Sequence, residues 1–76
     1  MEIHKEVDAR GLTCPLPILR TKKALADMQS GQILKILATD PSSPQDFSEF
    51  AKQTKNELLK VTACASKTFV FLMRRR

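Results

Sequence analysis

The sequence contains no tryptophan and no tyrosine, and only two glycines and two cysteines among 76 residues. Each scarcity excludes something. Three of the four Phe sit in apolar positions of periodic segments, so base-stacking platforms are poorly supplied and direct nucleic-acid binding by a dedicated RNA-reading module is not expected. Gly11 and Gly31 alone cannot build a glycine-rich phosphate loop. Two distant cysteines cannot staple a small secreted scaffold. There is no N-terminal apolar h-region and no apolar run near about 18 residues, so no membrane span is expected and a reducing cytoplasm is the natural setting. One histidine, His4, suggests no Ser-His-acid set. A zinc site would need His4, Cys14, Cys64 and a carboxylate to converge without any Cys-x-x-Cys pair, so neither a metal nor a cofactor is expected.

What is present describes one small domain over residues 1–76, 42% hydrophobic and 28% charged. At about 1.5 kcal/mol of ordering entropy per residue, nearly every apolar side chain must serve one core. Any active site is therefore shallow and sits at the end of an element. Thirteen Lys and Arg against eight Asp and Glu give +5, and the pI near 9.6 suits an acidic partner or nucleic acid. The excess gathers at Arg20, Lys22 and Lys23 and at Arg74, Arg75 and Arg76. The last three read as a frayed, solvated end.

From Ile3 to Ala9, Ile3, Val7 and Ala9 share one side of a half-buried strand, with His4, Glu6 and Asp8 on the solvent side. Pro15 suits a first helical position, because its missing N–H would be unpaired there anyway. Ile18, Thr21, Leu25 and Met28 mark the buried stripe of the helix that follows, widened by Leu16 and Ala24, and Gly31 stops it just past Ser30. Gln32 to Thr39 is nearly continuously apolar, as a strand with neighbours on both sides should be. Asp40-Pro41 then turns the chain into a second helix, with Ser43 as N-cap, Asp46 completing an acidic capping box, and Phe47, Phe50, Ala51 and Thr54 facing the core. Period two returns after Asn56, with Leu59, Val61 and Ala63 on one side, and Phe69 to Met73 form a last strand after a hairpin at Ala65, Ser66 and Lys67. The order βαβαββ predicts an α+β fold. It is a two-layer sandwich with two helices packed on one face of a four-stranded mixed sheet, its first crossover parallel and right-handed.

The chemically informative segment is Cys14-Pro15-Leu16-Pro17. It places a cysteine at the amino end of the first helix, where the macrodipole and unpaired N–H groups such as that of Leu16 favour a thiolate. Arg10, Arg20, Lys22 and Lys23 add positive potential, so the reading predicts a depressed Cys14 pKa. Spacing alone leaves a second reading open, in which Cys14 is a small structural cap without chemistry and the chain is a basic nucleic-acid-binding or regulatory interaction module. Cys64, beside the hairpin with no helix start, reads as a structural cysteine. Asp40 reads as a turn residue.

The run Asp8-Ala9-Arg10-Gly11-Leu12-Thr13-Cys14-Pro15-Leu16-Pro17, with a basic helix after it and Thr39-Asp40-Pro41 beyond an apolar strand, resembles the TusA-like (SirA-like) sulfur carrier and sulfurtransferase family. The resemblance spans nearly the whole chain and is most specific at Cys-Pro-x-Pro. It implies the same βαβαββ sandwich. It further implies that Cys14 carries sulfane sulfur as a persulfide, with Arg10, Gly11, Pro15 and Pro17 as supporting motif residues. Arg20, Lys22, Lys23 and Asp40 become candidates for partner binding. The implied donor is a cysteine desulfurase or another sulfurtransferase, and the implied acceptor a downstream sulfur-relay protein in tRNA thiolation, molybdenum cofactor or sulfur metabolism. Such a relay catalyses little alone.

Overall fold

A computed structural model describes residues 2–64 and 67–76. Its elements run β1 (Lys5–Ala9), α1 (Leu16–Ala26), β2 (Ile33–Ala38), α2 (Ser43–Thr54), β3 (Glu57–Cys64) and β4 (Thr68–Arg74). The sheet has four strands in the order β1-β2-β4-β3. β1 and β2 are parallel, while β4 is antiparallel to both β2 and β3. The apolar run of β2 thus lies between two neighbours, as its composition predicts. Both helices cover one face, giving the expected mixed-sheet sandwich.

Alternation in β2 sends Leu34, Ile36 and Ala38 toward the helices, all fully buried, and register sets Met73, Phe71 and Phe69 beside them on β4. From α2, Phe47 stacks on Phe71 with ring centroids 4.5 Å apart. Phe50, Ala51, Leu25 and Met28 complete the core. Each of the two fully buried Phe side chains contributes about 1.5–3 kcal/mol by leaving water. Thr21 is buried on α1 at no polar cost, because its Oγ1–H donates to the Pro17 carbonyl at 2.9 Å.

Several boundaries differ from the sequence expectation, each for a local reason. β1 begins at Lys5, so Ile3 stays 44% exposed and His4 is not a strand residue; its Nδ1 accepts the Ile33 N–H at 3.1 Å. Pro15 is the N-cap of α1 and not its first residue, and the Cys14–Pro15 peptide bond is cis. The helix ends at Ala26 with Asp27 as C-cap, short of Ser30. A turn closed by the Gln32 N–H on the Gln29 carbonyl follows, and Gly31, at φ 86°, belongs to that turn. Leu16 is 45% exposed and does not widen the buried stripe, whereas Pro17 is buried.

The N-cap of α2 is Ser42, one residue earlier than expected, because Asp40 Oδ1 captures both its N–H and its hydroxyl and so starts the turn sooner. Ser43 lies inside the first turn, 2% exposed, and its hydroxyl is buried without a hydrogen-bond partner. On β3 a register shift between Leu58 and Lys60 makes Leu59 an extra residue. Leu58 therefore packs on the core in place of Leu59, and Val61 stays 44% exposed. The expected hairpin connection at Ala65 and Ser66 lies outside the described residues, and Lys67 has φ 56°.

The arginine tail is strapped down, not frayed. The Arg75 N–H donates to the Gln32 carbonyl and its carbonyl accepts the Gly31 N–H, both at 2.8 Å. Its Nε–H reaches the Leu25 carbonyl near the end of α1 at 2.7 Å, and the Arg76 N–H donates to Asn56 Oδ1 at 2.8 Å. Arg74 pairs with Glu57 at 3.0 Å.

Candidate functional site

Parallel pairing of β1 and β2 brings their carboxyl ends, and the loops that follow, to one end of the sheet. There the β1–α1 loop must turn back sharply. Gly11 adopts φ 79°, a conformation that side-chain-bearing residues rarely take, although nothing lies within 4 Å of where its Cβ would be. Its N–H donates to Thr39 Oγ1 at 2.9 Å. The Cys14 N–H donates to Asp40 Oδ2 at 2.8 Å. Thr39 and Asp40 thus tie the cysteine loop to the end of β2.

Beside Cys14 the polar contacts form a chain. Asp40 holds the Cys14 amide with one oxygen and Ser42 with the other. The Ser42 hydroxyl lies 3.0 Å from Asp40 Oδ1 and 3.1 Å from Asp46 Oδ2, so one proton serves two carboxylates. Asp46, at the far end of that chain of contacts, acts on the thiol through its charge. The Cys14 side chain is exposed and free.

This setting raises the thiol pKa, contrary to the sequence expectation of a depressed one. Partial desolvation in the turn acts first, and the charge of Asp46, its hydrogen bond and the charge of Asp40 act in the same direction. The donors expected to favour a thiolate are spent elsewhere. The Leu16 N–H is taken by the Thr13 carbonyl at 2.9 Å, and Pro15 and Pro17 have none to give. Arg10 is likewise engaged, its Nε–H and Nη2–H gripping Asp8 at 2.9 and 2.8 Å.

That side-chain grip, with the Arg10 N–H, holds the Asp8 carboxyl down to about 2. Asp40 is lowered too, by the Ser42 and then the Cys14 backbone N–H. A carboxylate with a depressed folded pKa stabilises fully above its unfolded pKa, near 4, and loses that contribution as pH falls toward 2. The thermal midpoint should therefore drop over pH 4 to 2, and Asp40→Asn should flatten part of that drop in a melting series. The effect is modest because both carboxylates face solvent.

The basic candidates separate. Arg20 and Lys23 are exposed on α1, and the helical spacing sets them on one face with Leu16 and Leu19, which are 45% and 53% exposed. Lys22 instead lines a cleft at the far end of the molecule with Arg75 and Arg76, away from Cys14. Cys64 ends β3, beside the Thr68 end of β4, and is exposed, not a core cysteine. Sequence reasoning missed Thr39, Ser42 and Asp46 as members of the site. Asp46 was legible only as a capping acid, because nothing in the chain's local pattern says that the amino ends of the two helices converge.

The profile of the family Sulfurtransferase TusA matches residues 5–75. The chain is 59% identical over 59 residues to the sulfur carrier protein TusA of Allochromatium vinosum, covering 78% of each chain. It is 58% identical over 53 residues to a Neisseria meningitidis protein named as a candidate sulfur carrier, over 70% of this chain and 72% of that one. The crystal structure of a SirA-like protein from Desulfitobacterium hafniense superposes with a TM-score of 0.83, covering 93% of this chain and 96% of that one at 24% identity, which establishes the shared fold. With a profile spanning nearly the whole chain, and with Cys-Pro-x-Pro at the turn that the fold exposes, the chain belongs to the TusA sulfurtransferase family.

Proposed function

We propose that this protein is a cytoplasmic sulfur carrier. It accepts sulfane sulfur as a persulfide on Cys14 from a cysteine desulfurase or another sulfurtransferase and passes it to a downstream sulfur-relay protein. The observation that carries this reading is an exposed, free thiol on a turn anchored through its own amide to Asp40. A carrier needs an accessible sulfur at a fixed angle and a docking surface, not a substrate cavity.

Loading exchanges one bond for another. Cys14 Sγ attacks the outer sulfur of the donor persulfide, the donor S–S bond breaks, and the Cys14 proton ends on the departing donor thiolate. Nothing is oxidised overall, since the sulfane sulfur keeps its oxidation state. The loaded atom then stands about 2 Å beyond Sγ. Leu16 and Leu19, flanked by Arg20 and Lys23, form the docking face, suited to a partner with an apolar patch and an acidic rim. Gly11, Pro15 and Pro17 shape the turn.

The direct test is intact-protein mass measurement after incubation with a cysteine desulfurase and cysteine. The expected result is a gain of one sulfur atom that reductant removes. Reversing the α1 charges with Arg20→Glu and Lys23→Glu should slow loading by about tenfold at low salt, as loss of a steering charge does. Lys22→Glu, at the other end, should leave it unchanged. Equal slowing by all three would assign the effect to net charge and not to this face.

A further inference from the structure

The carboxyl ends of α1 and α2 and the end of β4 enclose a cleft of about 430 Å³, away from Cys14. Lys22, Arg75 and Arg76 line it together with the apolar side chains of Leu25, Ala26 and Phe50. No Asp or Glu lines it, and among the described residues none pairs with any of the three cations. The acids nearest in the chain, Asp27 and Glu57, are taken by Lys5 and Arg74. Arg75 has a structural duty, because its Nε–H caps the Leu25 carbonyl near the end of α1 at 2.7 Å. That duty uses one N–H, and a second, on Nη1, meets the Arg76 backbone oxygen at 3.1 Å. The guanidinium is thus fixed in place with donors to spare. The rim is held as well: Thr54 Oγ1 accepts the Asn56 Nδ2–H at 2.8 Å, and Asn56 Oδ1 takes the Arg76 N–H at 2.8 Å.

We propose that this cleft binds a small phosphate monoester with an apolar or aromatic body, the chemical class of a nucleoside monophosphate. Three cations without acidic side-chain partners suit a dianion, and they exceed what capping one helix end requires. The excess stays positive even with a terminal carboxylate on Arg76. A guanidinium already oriented by the Leu25 carbonyl offers its free N–H groups to phosphate oxygens with little further loss of side-chain freedom. Leu25 and Phe50, 5% and 7% exposed, give the body of the ligand an apolar surface to cover. The volume falls in the range of about 300–1,000 Å³ usual for small-molecule sites. A long polyanion fits less well, because Phe50 is the one ring in the cleft and successive bases would have no further platform. The site stands apart from Cys14 and does not depend on the carrier reading.

Titration with AMP, followed through backbone amide NMR shifts, tests the site, with inorganic phosphate and adenosine as its two halves. AMP should give saturating shifts centred on Lys22, Thr54, Asn56, Arg75 and Arg76. It should bind about tenfold or more tightly than either half, since one cleft holds both. Lys22→Gln combined with Arg76→Gln should weaken AMP by about tenfold, the combined worth of two exposed charge contacts. Both side chains are exposed, and the Arg76 N–H bond to Asn56 is a backbone contact, so the fold should survive, with circular dichroism as the check. Arg20→Gln combined with Lys23→Gln removes the same net charge from the other face of α1 and should leave AMP binding unchanged. Shifts that never saturate, equal weakening by the two pairs, no weakening by the first, or inorganic phosphate binding as tightly as AMP would overturn the inference. So would a short single-stranded oligonucleotide that displaces AMP with a steep salt dependence, because that behaviour describes a polyanion surface.

Discussion

Cys14→Ser is expected to fold like the parent and to gain no sulfur at all from a desulfurase and cysteine. The side chain is exposed, so replacing sulfur by oxygen removes no core contact. The Cys14 N–H bond to Asp40 involves only the backbone and survives the change. What disappears is the one atom that can hold the transferred sulfur. Serine's hydroxyl can fill the space but cannot form the persulfide bond, so the loss is complete and not graded. Cys64→Ser is the matched control. Cys64 is also exposed and free, but it ends β3 at the sheet edge, outside the Asp40–Ser42–Asp46 contacts. Intact mass with and without reductant should show the full gain in Cys64→Ser and none in Cys14→Ser. Sulfur retained in Cys14→Ser would remove Cys14 from the centre of the chemistry.

The second large effect concerns the fold. Phe47→Ala or Phe71→Ala should each cost about 3–5 kcal/mol, the usual range for truncating a fully buried aromatic side chain. Both rings are fully buried, and they stack on each other across the interface between α2 and β4. A domain of this length has about 4–11 kcal/mol of stability to lose. Either variant should therefore be largely unfolded in mild urea that leaves the parent intact. Because the two rings share one contact, the double variant should cost less than the sum of the singles, which a double-mutant cycle by chemical denaturation would read. Fully additive losses would mean that the stacking contributes nothing beyond the burial of each ring.

The functional consequence of that core is positional. Phe47 is one residue beyond Asp46, so anchoring it against Phe71 also fixes the first turn of α2 beside Cys14. A partial truncation such as Phe47→Leu would loosen the Ser42–Asp46 contact before it unfolds the domain.

Much of the architecture is legible in the chain because it follows from periodicity. The period-two and near-continuous apolar segments give β1, β2 and β4, and the Ile18, Thr21, Leu25 spacing gives α1. Asp-Pro and Pro-rich starts mark both helix entries. The expectations that failed were those in which a local rule competed with a contact from elsewhere. Ser43 looked like the cap until Asp40 claimed Ser42. Leu59 looked like the inward residue until a bulge moved Leu58 there. Three arginines looked like a loose end until Leu25, Gln32 and Asn56 accepted hydrogen bonds from Arg75 and Arg76.

The same division runs through the site. The sequence by itself determined the element order, the candidate cysteine and the proline-rich turn that presents it, because these depend on neighbours in the chain. The sign of the field at that residue was decided by tertiary structure alone. Asp40 and Asp46 are 26 and 32 positions away from Cys14, and only the parallel pairing of β1 with β2 carries them to it. Electrostatic influence depends on distance in space and on which charges are already paired, and neither quantity is written in the order of residues along the chain.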